Sequence, residues 1–231
     1  MLLAIDTSTR YAGVALWHDN RVIIALSWHS TRNHTAELMP AIEYLLGQAK
    51  AGPAALEGIA VALGPGGFSA LRVGISAAKG LALPMDIPLV GVSTLEMEAY
   101  PYADTGLPIC SLLEVGRGEV ATAVFQKASG LWKRLAEERV CTPEELVESI
   151  SKRTLLCGEG VHHRSDYLKE ALGRKGVVMG FHSPASRLWA LAILAGERLK
   201  RGDVDSVAAL QPLYLRRPSI GPAKTPQRVR Q

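Results

Sequence analysis

Residues 2–28 read LLAIDTSTRYAGVALWHDNRVIIALSW, and this stretch decides the fold. Residues 2–5 form an apolar run that stops at Asp6, the pattern of a buried strand. Residues 12–17 give a second strand and residues 21–28, rich in Val and Ile, a third. His18-Asp19-Asn20 supplies the turn between them. The chain therefore opens as a β-meander.

Working outward, Leu38, Ile42, Leu45 and Ala49 recur at helical spacing, so a helix is expected over 35–49 with Thr35 as its N-cap, ended by Gly52-Pro53. Residues 58–63 read as a short buried strand running into Gly64-Pro65-Gly66-Gly67, and residues 69–83 as a second helix. That helix is apolar nearly all round. Its only charged side chains, Arg72 and Lys79, share a face with Ser76, so most of its surface must be covered. A strand at 88–92 and a third helix capped by Ser93 or Thr94 complete a β-β-β-α-β-α-β-α unit over residues 1–103.

The turn-rich segment 100–108 marks a boundary. Beyond it, strands are expected at 109–114, 119–126 and 131–139, a helix from Thr142-Pro143-Glu144-Glu145 with Thr142 as N-cap, a strand at 154–157, and a long helix from Ser183-Pro184 to about 201. Two units that each begin with strands joined by tight turns suggest a structural duplication. The expected division is a first lobe over 1–103, a smaller lobe over 104–183, a helix and segment over 184–215 that return to the first lobe, and a basic tail over 216–231.

The charge distribution supports that division. The chain has 26 Lys and Arg against 22 Asp and Glu. Five of the basic residues (Arg216, Arg217, Lys224, Arg228, Arg230) lie in the last 16 residues with no acid among them, so the body carries 21 against 22. The high pI belongs to the tail, which could touch RNA phosphates or an acidic partner, or be a solvated terminus. The body has no basic excess, and aromatics are only 6% of the chain, so no base-stacking platform is expected there. Cys110, Cys141 and Cys157 are too few and too widely spaced for a disulfide framework or a zinc site. The opening residues lack the pattern of a signal peptide, and no apolar run is long enough to span a membrane, so a cytoplasmic protein without a membrane contact is expected.

Two segments could carry chemistry. Asp6-Thr7-Ser8-Thr9 places an acid and three hydroxyls at a strand end, where they could hold a phosphate or a metal-bound water, or simply satisfy a turn. Gly64-Pro65-Gly66-Gly67-Phe68-Ser69 lies between a strand and a helix, where glycines permit close approach of a ligand or of another part of the chain. It lacks the GK[ST] ending of a P-loop, and Arg72 is the first cation after it. Gly158-Glu159-Gly160 is the nearest second-lobe counterpart. The six histidines (His18, His29, His34, His162, His163, His182) show no metal-binding spacing, and no G-x-S-x-G signals a serine hydrolase.

The opening LAIDTSTRYAGVALW, then HTAELMPAIEYLL, then GPGGFSALRVGISAAKGLALPMDIPLVGVSTLE resemble the TsaB (YeaZ) family. So do Gly116-Arg117-Gly118-Glu119-Val120 and the late Pro212-Leu213-Tyr214-Leu215-Arg216. The resemblance is strongest over the first 100 or so residues. It implies an α/β, two-lobed, actin-like ATPase fold (the ASKHA, ribonuclease H-like type) with mixed sheets, helices and a degenerate active site. It also implies a role in forming N6-threonylcarbamoyladenosine at position 37 of tRNAs that read codons starting with A. There such a protein is a non-catalytic partner of a TsaD-type catalytic subunit, joined by a TsaE-type ATPase, homodimeric when the partner is absent, and in contact with tRNA only through the complex.

The resemblance implies no catalytic and no metal residues in this chain. The family's usual GPGSFTGLR is altered at Gly67, Ser69 and Ala70, and Glu114 stands where the family often has Asp. A TsaD-type enzyme follows its similar Gly-Pro-Gly segment with two metal-holding histidines four apart, and those positions fall on Thr94 and Glu98. A hydroxyl and one carboxylate make a poor ligand pair beside two imidazoles. ATP-hydrolysing members of the fold tend to have glycine where this chain has Ser8. On this reading the chain has no cofactor of its own, with ATP or ADP at the partner boundary near Asp6, Thr7, Ser8, Thr9, Gly64, Gly66 and Arg72. The partner or dimer face would use His34, Leu38, Met39, Ile42 and Leu45 of the first helix with Val73, Ala77 and Leu81 of the second. The residues alone leave open that both helices line the chain's own core, and that the chain is a nucleotide-dependent phosphotransferase of the same fold. A peptidase has no nucleophile–base arrangement to support it.

Overall fold

The computed structural model describes residues 1–180 and 183–216. His182 and the tail residues Arg217, Lys224, Arg228 and Arg230 lie outside them. Strands β1 (Leu2–Asp6), β2 (Tyr11–His18), β3 (Arg21–His29), β4 (Gly58–Gly64) and β5 (Leu89–Ser93) form one sheet in the order β3-β2-β1-β4-β5. The β1–β2 and β2–β3 pairs are antiparallel, and the β1–β4 and β4–β5 pairs parallel. Strands β6 (Ile109–Glu114), β7 (Val120–Ala128), β8 (Leu131–Cys141), β9 (Thr154–Cys157) and β10 (Gly176–Val178) repeat that arrangement as β10-β9-β6-β7-β8. The duplication extends to a turn. Asp19 and Asn20 close the β2–β3 hairpin, and Ser129 and Gly130 the β7–β8 hairpin, with both central residues at positive φ in each case. Such turns match the twist of paired strands.

The first sheet is covered on both sides, so β1 is buried at every residue. Its two faces differ in bulk. Leu3, Ile5, Val14, Leu16, Ile59 and Val61 point to helices α1 (His34–Gln48) and α2 (Phe68–Met85). The opposite face is floored by Ala4, Ala15, Ala60 and Ala62 and covered by α6 (Pro184–Lys200), which answers with Ala190, Ala192 and Ala195. Small residues on both partners let the helix come close. A Cβ at Gly13 would lie 2.4 Å from Leu188, and one at Gly196 would lie 2.8 Å from the Trp17 ring.

Helix α3 (Thr94–Ala99) follows the first sheet but packs on the second, against Ile109, Ala121, Ala123 and Phe125. Helix α6 follows the second sheet but packs on the first. Each lobe thus lends its last helix to the other. The second sheet's remaining face is covered by α4 (Pro143–Ser149) and α5 (Ser165–Leu172). After α6 the chain returns along the first lobe. Asp205 accepts from the Gly91 N–H at 2.8 Å, and the Leu213 N–H donates to the Leu63 carbonyl at 2.8 Å.

Some boundaries differ from expectation. Helix α1 begins at His34, so Thr35 is not its N-cap; Asn33 stands there without a side-chain cap. Thr142 does cap α4, through a reciprocal capping box with Glu145. The turn-rich 100–108 segment contains a 3-10 helix, Tyr100–Thr105.

The lobes also meet where β8 leans on α3 and β5. Trp132 Nε1 donates to Glu96 at 2.9 Å, and the Ser93 hydroxyl donates to Glu138. Burial raises the Glu138 carboxyl above its ordinary value, opposed by the Ser93 hydrogen bond and the Arg134 guanidinium, and burial likewise raises Glu96. A carboxyl raised on folding binds a proton that the unfolded chain has lost, so stability falls as pH climbs from the ordinary carboxylate range through the raised value. Glu138→Gln should therefore melt above the parent at pH 7, and the difference should shrink as pH drops toward 4; thermal melts across that range check it.

Candidate functional site

Strand β1 ends where the sheet's parallel and antiparallel halves part, and the turn after it faces the gap between the lobes. A cleft of about 1160 Å³ lies there. Ser8, Thr9, Arg10 and Gly66 line its first-lobe wall, and Glu114, Glu159, His162 and His163 its second-lobe wall. Of the residues expected at a nucleotide or partner boundary, Ser8, Thr9 and Gly66 reach this cleft. Asp6, Thr7, Gly64 and Arg72 are not part of its lining.

The hydroxyl-rich turn is committed to its own chain. Asp6 Oδ1 accepts from the Ser8 N–H at 2.9 Å and from the Ser8 hydroxyl at 2.6 Å. The Thr7 hydroxyl donates to the Ala70 carbonyl at 2.7 Å, bolting β1 to α2. Gly74 makes room for it, since a Cβ there would lie 2.4 Å from Thr7 Oγ1. Thr9 Oγ1 accepts from the Tyr11 N–H at 3.1 Å and donates to Glu159 at 3.3 Å.

The glycine loop is close-packed against the same turn. A Cβ at Gly66 would sit 2.1 Å from the Ser8 carbonyl oxygen, and the Gly67 N–H donates to that oxygen at 2.8 Å. Gly64, at φ +105°, faces the Leu213 carbonyl. The close approach these glycines permit is therefore to the chain itself. Arg72 turns away from the turn. Its Nε donates to the Tyr214 hydroxyl at 3.0 Å, and its guanidinium lies 3.9 Å over Phe68, on which Tyr214 stacks. In the second lobe, Gly158 and Gly160 press on the Leu112 backbone in the same manner.

At the centre stands Arg187, the largest fully buried side chain. Its Nε donates to Asp6 Oδ2 at 2.6 Å, its Nη1 to Glu98 at 3.1 Å, and its Nη2 to Thr9 Oγ1 at 3.0 Å and the Tyr11 carbonyl at 2.7 Å. Glu159 lies 3.8 Å from Nη1. Burial opposes the charge on this guanidinium, but Asp6, then Glu98 and Glu159, outweigh it and hold its pKa above the ordinary arginine value. The sequence reading missed this residue. The available signal was an arginine in register with Leu191 and Leu194 on the apolar face of α6.

The fold type implies a nucleotide with its magnesium at the β1 end, and these residues do not fit that group. The carboxylates are joined through a guanidinium, and the Ser8 carbonyl fills the space beside Gly66. Thr94 and Glu98, four apart on α3, are both buried. Glu98 binds Arg187, and the Thr94 hydroxyl has no hydrogen-bond partner among the described residues. The cysteines offer no nucleophile. All three are buried, and desolvation pushes the Cys110 thiol up to about 11 and Cys157 well above its ordinary value.

The helix residues expected to face a partner divide. Leu38, Ile42 and Leu45 are at most 3% exposed and pack in the chain's own core, while His34, 8% exposed, edges the interlobe cleft. The His34 ring bonds the Thr9 carbonyl at 3.0 Å. Met39 is exposed, while Val73, Ala77 and Leu81 lie at the core's margin. Among the described residues no helix is long and apolar enough to cross a membrane.

Comparison with known proteins agrees with this architecture. The family model described as "TsaD: tRNA N6-adenosine threonylcarbamoyltransferase" matches residues 28–193. The chain is 31% identical to the tRNA threonylcarbamoyladenosine biosynthesis protein TsaB of Bacillus subtilis over 220 residues, 93% of each chain. It is 30% identical to the Escherichia coli TsaB over 223 residues, 93% of this chain and 94% of that one. The solved structure of YeaZ from Pseudomonas aeruginosa superposes with a TM-score of 0.77 at 28% identity, covering 93% of this chain and 99% of the other. The tRNA N6-adenosine threonylcarbamoyltransferase of Nitratidesulfovibrio vulgaris is 37% identical over 110 residues, 41% of this chain and 30% of that enzyme. With its duplicated, helix-exchanged sheets and full-length relatives, the chain belongs to the TsaB (YeaZ) family of tRNA threonylcarbamoyladenosine biosynthesis proteins and has its actin-like fold.

Proposed function

We propose that this chain is the non-catalytic partner of a TsaD-type enzyme in forming N6-threonylcarbamoyladenosine at position 37 of tRNAs reading codons that start with A. The observation that carries the reading is the Arg187 cluster. Asp6 and Glu98, the carboxylates buried behind the interlobe cleft, both bind the chain's own cation. On this reading the group transfer belongs to the partner and this chain contributes a surface. ATP or ADP, where the complex carries it, sits at the boundary between the two proteins and not on Asp6. A TsaE-type ATPase joins the assembly, the chain pairs with itself when the partner is absent, tRNA is met only in the complex, and the setting is cytoplasmic.

The surface is narrower than the two whole helices. Its accessible residues include Met39 and Tyr44 of α1 with Val73, Ala77, Leu81 and Leu83 of α2, of which Leu83 is 64% exposed. A buried charge without a partner costs far more than an exposed one, so a carboxylate at this face acts on association before it acts on folding.

Ala77→Glu and Leu83→Glu should each give a folded chain by circular dichroism that no longer co-purifies with a TsaD-type protein. A complex that survives both changes rules this face out. A tRNA modification assay lacking only this chain should lose the modified base, whereas ATP turnover by the isolated chain at an ordinary enzymatic rate would argue for an enzyme instead. Gly66→Ala should lower the stability of the isolated chain by about 1–3 kcal/mol, through overpacking against Ser8, in thermal or urea unfolding.

A further inference from the structure

We propose that Arg187 is a built-in ligand: its guanidinium fills the buried cation position between Asp6 and Glu98, behind the cleft, and ties the lobes together in place of a diffusible cation. The inference rests on the cluster's geometry and holds whether or not the chain acts as a partner subunit.

A guanidinium has five N–H donors in a fixed plane. Arg187 finds five acceptors: Asp6, Glu98, Glu159, the Thr9 hydroxyl and the Tyr11 carbonyl. Four are in hydrogen-bond reach, and Glu159 makes a longer ion pair at 3.8 Å. They come from different parts of the fold. Asp6 ends β1, Thr9 lies in the turn after it, and Tyr11 opens β2. Glu98 is on α3, and Glu159 is on the second lobe's turn after β9. The arginine itself is on α6, the helix lent by the second lobe. From α6, one side chain therefore bonds the first sheet and α3 and ion-pairs with the second lobe.

Chemistry also favours a cation here. Two buried carboxylates, Asp6 and Glu98, point at one place with Glu159 at its edge, and buried anions need a counter-charge. A free cation could supply that charge only by binding from solution. Here a tethered group supplies it, at no cost in binding entropy and at every ligand concentration. The alanine floor under α6 gives it access, because a bulkier sheet face would hold Arg187 out of reach of Asp6. Removing the side chain should leave a slot whose acceptors still point at one place, and that slot should take a free guanidinium ion.

The test is chemical rescue of the full chain. Arg187→Ala should melt roughly 10 °C below the parent, as for loss of one member of a buried ion cluster. Guanidinium chloride at 10–20 mM, far below the molar range in which it denatures, should restore at least half of that loss. Equal concentrations of sodium chloride or urea should restore none, and the parent should respond to neither. Should Arg187→Ala need the additive to fold at all, the same dependence is read as yield of folded protein. Arg187→Lys, which keeps the charge but not the planar fork, should melt between the parent and Arg187→Met. Hydrogen exchange in Arg187→Ala should lose protection at residues 9–11 and 159–164 together, and guanidinium should return it to both. Absence of rescue, an Arg187→Met variant as stable as the parent, or lost protection confined to α6 would each overturn the proposal.

Discussion

The bond from Arg187 to Asp6 and Glu98 is the constraint that the rest of this structure answers to. A fully buried guanidinium is tolerable only when its donors are satisfied and its charge is matched. That requirement fixes where β1 ends, how α3 crosses to the second sheet, and how closely α6 lies on the first. The alanines of β1, β2 and β4 and the glycines at 13 and 196 follow from it, because each removes volume that would lift α6 away. The Thr9–Glu159 contact then extends the same cluster into the second lobe.

The polar motifs around that centre change meaning once their neighbours are known. Acid and hydroxyls at a strand end, glycines before a helix, and an arginine one turn in make up the vocabulary of a phosphate site. In this chain each element is turned on another. Ser8 bonds Asp6, Gly66 and Gly67 close on Ser8, Thr7 bonds α2, and Arg72 joins Phe68 and Tyr214. The motif has kept its shape as packing. That accounts for a chain with the family's sequence signature whose central carboxylates already have their cation.

How much could be read beforehand depended on the range of the interaction. The β-meander, the 154–157 strand and the Thr142 cap were legible because alternation, burial runs and capping act within a few residues. The cap of α1 was misplaced by two residues because no side-chain bond marks it. The stripe Leu38–Ile42–Leu45 announces something apolar opposite, but periodicity does not say whether that is the chain's own sheet or another protein; here it is the sheet. The register of α6 could flag Arg187 as buried, but its partners at residues 6, 9, 11, 98 and 159 were out of reach because they share no local pattern with it. The same holds for Glu138, raised by burial against a segment some 40 residues earlier.

The exchange of helices also has a bearing on how the molecule is made. The first sheet is complete in sequence by Ser93, yet the helix that roofs its alanine side begins at Pro184. At ordinary rates of synthesis that roof emerges on the order of 5–20 s later. For that interval the nascent first lobe carries an uncovered apolar floor and an unneutralised Asp6. Until the second half of the polypeptide arrives, the part already made lacks the helix that closes that side.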